Sequence, residues 1–348
     1  MSLTGKHVLS SDLFDREELE RLFVLADLLT PVARGRKATR VLEGAVMASL
    51  FFEASTRTRL SCESAFLRLG GGVVNSTGPE IMSIAKGESY ADTSRVVSGY
   101  CDLLVVRHPE ETAVHEFAAA TNVPVINGGN GAGEHPTQAL LDMYTLHREF
   151  ARTGRGLDNR RIALVGDLRY GRTVHSLMKL ITLYENLTIV CVSPAHLGMP
   201  AALLESAERR GHRIELSDSP QTALKDADLV YATRLQTERF AGQPTPYSDE
   251  FRIDKALVSR VCRDDTVIMH PLPRNSRPGS NDLAADLNSD PRLAIFRQTD
   301  AGIPIRMALF VSVLGAAEAV PDSLRRVAWY RPEYTGPDDA PFYRNTAG

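Results

Sequence analysis

The sequence predicts an α/β protein made of two doubly wound parallel-sheet domains joined by interdomain helices. Three observations carry this. Short continuous apolar runs, such as GAVMASLFF (44–52) and RIALVGD (161–167), suit strands buried on both faces. Helical stretches alternate with such runs through both halves, the order expected of parallel sheets with crossover helices. The length of 348 residues exceeds that of most single domains.

Taken in order, residues 15–29 read as an amphipathic helix. Asp15 can cap it, Glu18 completes a capping-box pattern, and Leu19, Leu22, Phe23, Ala26 and Leu29 form one apolar stripe. After the strand at 44–52 comes a helix at 56–69, stopped by Gly70, Gly71 and Gly72. Strands at 102–108 and 123–129 follow, with helices near 111–120 and 136–150. The basic, polar, glycine-bearing stretch RTGRGLDNR (152–160) is the best domain boundary, giving domains 1–150 and 151–300. Strands at 161–167, 186–192, 226–233 and 265–270 then alternate with helices, and the last ends in the turn PLPR. IRMALFVSVLGAAEAV (305–320) is a late apolar helix expected to pack back on the first domain. The tail 321–348 is rich in proline, charge and aromatics and holds the single tryptophan, Trp329.

Composition narrows the function. Forty Lys and Arg against 43 Asp and Glu leave a formal charge of -3, without the basic excess of a nucleic-acid protein. No apolar run approaches the roughly 20 residues of a membrane span, and the N-terminus lacks the basic-then-apolar order of a secretion signal. Cys62, Cys101, Cys191 and Cys262 are far apart without CxxC spacing, which points to reduced thiols in a cytoplasm. With no HExxH, no clustered Cys/His set and no carboxylate triad, a catalytic metal is not expected.

Donor-rich clusters stand at the ends of strands. Ser55, Thr56, Arg57, Thr58 and Arg59 lie where an apolar run gives way to a helix. There, free backbone N–H groups, hydroxyls and guanidinium forks suit a phosphate; an ordinary N-cap with solvated arginines is the other reading. Glu53 beside them can orient an arginine. Arg107 follows LLVV, at the strand end where ligands of open α/β sheets gather. His135 and Gln138 follow the glycine-rich GGNGAGE at a helix start, where a lone histidine is as readily structural. GDLRYGRTVHS (166–176) lacks GxGxxG, so a dinucleotide turn is disfavoured, and Arg172 at a helix start suits a carboxylate. In TRLQTER (233–239), Arg234 and Gln236 share a side of an extended segment. The prolines of HPLPR (270–274) donate no N–H, leaving carbonyls to accept from an amine. Together these offer one phosphate-sized site and one dicarboxylate site, with no nucleophile. Direct attack of an amine on an activated acyl phosphate is the natural chemistry.

FFEASTRTR, SIAKGES, VVRHP, EHPTQ, GDLRYGRTVHS, TRLQTER and HPLPR, in this order over roughly residues 5 to 320, resemble the aspartate/ornithine carbamoyltransferase family on its aspartate-specific side. The resemblance implies that Ser55, Thr56, Arg57 and Thr58 bind the phosphate of carbamoyl phosphate. It implies that Thr58, Arg107 and His135 polarise the carbonyl and that Gln138 holds the amide. Arg172, Arg234 and Gln236 would grip L-aspartate, with backbone at Pro271 and Leu272 orienting its amine. Ser83 and Lys86, on the stretch GPEIMSIAKGESYADT, would enter a neighbouring chain's site, making a homotrimer the smallest competent unit. Ornithine-specific relatives carry a cysteine where Pro271 stands, and Arg234-x-Gln236 favours a second carboxylate over an ammonium. The family uses no metal or organic cofactor, and its members work alone or with a regulatory chain or a dihydroorotase-like subunit. Two stretches depart from its pattern: 275–287 is longer than usual, and FAGQPTPYSDEFRID (240–254) differs. Transfer to another amine, or a silent scaffold subunit, are the competing readings.

Overall fold

A computed structural model of the chain describes residues 2–78, 87–236, 249–275 and 282–329. Among these, packing separates two units. One comprises the chain up to Leu141 together with the segment from Asp300 onward, and the other is Asp142–Thr299.

In the first unit, α1 (Arg16–Ala33) starts at Asp15, whose carboxylate accepts the Glu18 N–H at 2.7 Å, and its five-residue apolar stripe is buried. A short β1 (Lys37–Ala38) leads to β2 (Val46–Phe51), α2 (Thr56–Arg68) and β3 (Gly72–Thr77). Then come α3 (Tyr90–Val97), β4 (Leu103–His108), α4 (Ala113–Ala119), β5 (Val125–Asn130) and α5 (Pro136–Ala151), which passes into the second unit after Leu141. The sheet is parallel throughout, ordered β3-β2-β4-β5, so the winding reverses between β2 and β4.

The second unit contains β6 (Arg161–Gly166), α6 (Arg172–Ile181), β7 (Thr188–Val192), α7 (Ala201–Arg209), β8 (Arg213–Ser217) and α8 (Pro220–Ala223). It continues with β9 (Leu229–Thr233), α9 (Lys255–Val261), β10 (Val267–Met269) and α10 (Ile295–Asp300). Its sheet is also parallel, ordered β10-β9-β6-β7-β8, and reverses between β6 and β9. In open sheets of this kind, ligands collect at the carboxyl ends of the strands flanking the reversal.

The late helix runs as α11 (Gly302–Val313), three residues earlier and several shorter than the expected 305–320. Gly315 stops it at φ +70°, a left-handed value that glycine adopts freely. The closing bonds, Ala316 N–H to Val311 O and Gly315 N–H to Ser312 O, are those of a Schellman cap. Nearly every side of α11 is buried; it packs on α1 and α2, with Phe310 edge-on to Phe66 at 5.6 Å. Beyond it, α12 (Val320–Ser323) leads to β11 (Arg325–Arg326), which pairs antiparallel with β1. Tail residues 330–348 lie outside the described residues. No single helix among the described residues is long and apolar enough to cross a membrane.

Strands β3 and β8 have no counterpart in the sequence reading. Both are sheet edges with much of their surface exposed, so neither carries the continuous apolar run of a central strand. The stretch Arg152 to Arg160, expected as a boundary, belongs by its packing to the second unit. Arg155 reaches Asp228 at 3.1 Å and lies over the Phe150 ring at 4.9 Å, while Arg161 N–H donates to Asp228 at 2.8 Å.

Asp142, fully buried in α5, accepts from the Tyr231 hydroxyl at 2.7 Å and from Gln298 Nε2 at 2.6 Å. Burial, with Asp142 alongside, keeps the Tyr231 hydroxyl protonated well above its ordinary pKa. Hydrogen bonds to a buried charge contribute about 1.5–3 kcal/mol each. Tyr231→Phe is therefore expected to destabilise the folded chain by that amount, read as an earlier urea transition.

Candidate active site

The first cluster forms at the β2/β4 reversal. Ser55 is the N-cap of α2 but spends no side-chain bond on capping, and no acidic residue occupies the helix's first turn. The positive helix end therefore faces Ser55, Thr56 and Arg57 without internal neutralisation. Thr58, one turn in, is 7% exposed, and its Oγ1 is 3.3 Å from Nε2 of His135.

Arg107 enters from β4, where the pairing with β5 slips between Val106 and His108. Its guanidinium is held by Glu53 Oε1 at 2.6 Å and by the Gly128 carbonyl at 3.2 Å. Its Nη1 stands 3.5 Å from His135 Nε2. Glu53 thus does orient an arginine, and that arginine comes from the neighbouring strand.

His135 is 3% exposed, and its Nδ1 is 3.4 Å from Thr137 Oγ1. Arg306 of α11, itself 3% exposed, donates to that same hydroxyl at 3.4 Å and to Gly302 O at 3.0 Å. Arg107, which can only donate, faces Nε2, and the side chains of Thr58, Arg107 and His135 converge on one spot, where a fixed guanidinium donor suits a developing oxyanion. Gln138 sits in the first turn of α5 beside them, its N–H on His135 O at 2.9 Å. The sequence reading did not single out Thr137 or Arg306; only the fold brings α11 under His135.

The second cluster forms at the β6/β9 reversal. Gly166, closing β6 at φ +119°, lies so near β9 that a Cβ there would stand 2.1 Å from the Thr233 carbonyl. Next to it Asp167, wholly buried, accepts from Tyr170 N–H at 3.0 Å with one oxygen and from Gln236 N–H at 3.0 Å with the other. One carboxylate thereby ties together the turn leading to Arg172 and the segment carrying Arg234 and Gln236. Arg172 opens α6 and is 8% exposed. Arg234 Nη1 donates to Leu235 O at 2.9 Å, and Gln236 Nε2 to Arg234 O at 3.1 Å. Asp167 was not picked out from sequence, because an aspartate closing a strand reads as a turn former.

The HPLPR turn belongs to this second unit. Leu272 has φ +52°, a left-handed value costing a β-carbon residue roughly 1–2 kcal/mol. Pro271 and Leu272 are half-buried. Ser83 and Lys86 fall outside the described residues. Among the described residues, no group of three His, Cys, Asp or Glu side chains is arranged to hold a metal. All four cysteines are free thiols.

Comparison with known proteins identifies the family. Residues 6–148 match the carbamoyl-P binding domain of aspartate/ornithine carbamoyltransferases, and residues 158–313 match their Asp/Orn binding domain. The chain is 51% identical over 332 residues to the aspartate carbamoyltransferase catalytic subunit of Saccharophagus degradans, covering 95% of this chain and 98% of the relative. It is 49% identical over 346 residues to that of Dichelobacter nodosus, covering 99% of each. Crystal structures of Trypanosoma cruzi aspartate transcarbamoylase share the fold. The complex with N-(phosphonacetyl)-L-aspartic acid superposes with a TM-score of 0.81 at 39% identity, covering 90% of this chain and 96% of that one. The complex with carbamoyl aspartate and phosphate gives 0.80 at 38% identity, covering 90% and 97%. With both halves matched in order and nearly the whole length aligned, this chain belongs to the aspartate/ornithine carbamoyltransferase family.

Proposed function

We propose that the chain transfers the carbamoyl group of carbamoyl phosphate to the amino group of L-aspartate, giving N-carbamoyl-L-aspartate and phosphate, an early step of pyrimidine synthesis in the cytoplasm. The observation that carries it is the convergence of Thr58, Arg107 and His135 beside the uncompensated N-terminus of α2. In this reading the first unit is the carbamoyl phosphate-binding domain. Ser55, Thr56, Arg57 and Thr58 hold the phosphate, Gln138 the amide, and Arg107 with His135 the carbonyl oxygen. The second unit is the aspartate-binding domain, with Arg172, Arg234 and Gln236 on the carboxylates and the carbonyls at Pro271 and Leu272 on the amine. The amine lone pair attacks the carbonyl carbon, the bond to the phosphate oxygen breaks, and the departing phosphate takes the amine proton. The protein contributes position and charge, which suits a site with no nucleophile.

Aspartate is preferred to ornithine because Arg234 and Gln236 stand where an ammonium would be repelled. The purified chain, given carbamoyl phosphate with aspartate or ornithine, is expected to form only carbamoyl-aspartate. Equal product from ornithine, or none from either, would overturn the reading.

A homotrimer with shared sites is part of the proposal. Supporting it, the first unit exposes Leu60 and Leu67 on α2, Val74 on the β3 edge, Val96 on α3 and the neighbouring Tyr100, each about half exposed or more. Lys86 of one chain would bring a further cation to its neighbour's anionic substrates. Two inactive parents, Lys86→Gln and Arg57→Ala, dissociated and reassembled together, are expected to regain activity. Random mixing in a closed ring leaves roughly a quarter of the sites native. Mixed trimers that form and stay inactive would confine Lys86 to its own chain.

A further inference from the structure

The segment joining β10 to the HPLPR turn carries a buried histidine that the reaction as described does not use. His270 is 1% exposed. Its Nδ1 accepts the Leu272 N–H at 2.8 Å, and its Nε2 is 3.0 Å from Oδ1 of Asp282, which is 7% exposed. Because Nδ1 accepts, the proton sits on Nε2 and is donated to Asp282. Asp282 also takes the Asn275 N–H on Oδ2 at 2.8 Å and the Leu283 N–H on Oδ1 at 2.7 Å. Burial works to raise its pKa, but the bonds from His270 and these two amides outweigh it and hold the carboxylate below its ordinary range. At the other end, the His270 N–H donates to Gln298 Oε1 at 3.0 Å.

The turn is therefore held at three places: its first residue by Gln298, the residue just after it by Asp282, and its middle by the His270 ring. The middle bond is the telling one, because Leu272 occupies a left-handed conformation that a leucine does not choose unaided. In that conformation the carbonyls flanking Leu272 point where the turn, not the residue's own preference, directs them.

We propose that His270, oriented by Asp282, is a positioning residue for the acceptor amine: its Nδ1 locks Leu272 and so aims the turn's carbonyls. This rests on the reading above, in which those carbonyls receive the amino group of aspartate. Asp282 lies within 275–287, the stretch expected to be longer than usual, and it clasps both His270 and Asn275.

Two substitutions of similar size divide the imidazole's roles. His270→Asn keeps an acceptor placed for the N–H two residues on, as in an Asx turn, and gives up the bond to Asp282. His270→Gln reaches Asp282 as a donor and gives up the acceptor for Leu272. The Gln variant is expected to lose about 10- to 100-fold in kcat/KM for aspartate, the scale of a small misplacement of a reacting group. The Asn variant is expected to retain most activity, and KM for carbamoyl phosphate should hold in both. Gln performing as well as Asn, or both substrates' KM rising together, would overturn the proposal. In histidine-labelled wild-type enzyme, nitrogen NMR should show His270 protonated at Nε2 alone, its signals assigned by their loss in the Asn variant; a proton on Nδ1 would equally overturn it. Should wild-type enzyme form no carbamoyl-aspartate, the functional reading fails and the amine's role with it, while the NMR result still judges the hydrogen bonds.

Discussion

Replacing Arg107 by alanine is expected to lower turnover about 10²–10³-fold, the usual loss when one donor to a developing oxyanion is removed. The guanidinium is fixed before substrate arrives, by Glu53 on one side and the Gly128 carbonyl on the other, so little reorganisation remains for the reaction step. Its neighbour, the His135 ring, is fixed in turn through Thr137 and Arg306. Such prepaid alignment acts on the transition state more than on the ground state, so kcat should fall further than the affinity for carbamoyl phosphate. Removal of the arginine also takes away the ion pair of the Glu53 carboxylate beside a site for an anion. Arg107→Ala combined with Glu53→Gln should therefore bind carbamoyl phosphate better than Arg107→Ala alone. Steady-state kinetics with both substrates varied provides the check; weakened affinity with unaltered turnover would reduce Arg107 to ground-state binding.

Arg234→Ala is expected to cost about 2–4 kcal/mol, appearing almost wholly in the dependence on aspartate. A fork that grips a carboxylate with two parallel bonds is not replaced by water, and Gln236 alone cannot supply the charge. The segment bearing both residues is anchored by Asp167, so loss of the Arg234 side chain should leave the backbone in place. Carbamoyl phosphate binding, measured by calorimetry, should survive unchanged. Unchanged aspartate kinetics would remove Arg234 from the site.

What was legible in the sequence follows burial. Val46–Phe51 and Arg161–Gly166 lie in sheet centres, where both faces are covered and the run is apolar but for Ser49 and Arg161. Gly72–Thr77 and Arg213–Ser217 lie at sheet edges, where one side meets solvent and the pattern dissolves. The donor clusters were visible because hydroxyls and arginines at a strand-to-helix junction are costly unless something occupies them. Their supports were not visible. Asp167, Arg306 and Asp282 act through partners that are distant in sequence or joined by backbone N–H groups, which leave no trace in residue type. The polar stretch from Arg152 to Arg160 overlaps the gap between the two matched domains, although its packing joins it to the second unit. Its arginines look solvated, yet Arg155 closes on the buried Asp228.

The return of α11 to the first unit fixes an order of events at the ribosome. Residues Asp142–Thr299 are contiguous, so the second unit can fold as soon as it has emerged. The first unit lacks its central helix until Gly302–Val313 has been made, although its four-stranded sheet was synthesised long before. At about 5–20 residues per second, the apolar faces of α1 and α2 wait roughly 12–50 s for their covering partner. During that interval Leu22, Phe23 and Phe66 form a surface for a chaperone to hold, and the unit translated first is the one completed last.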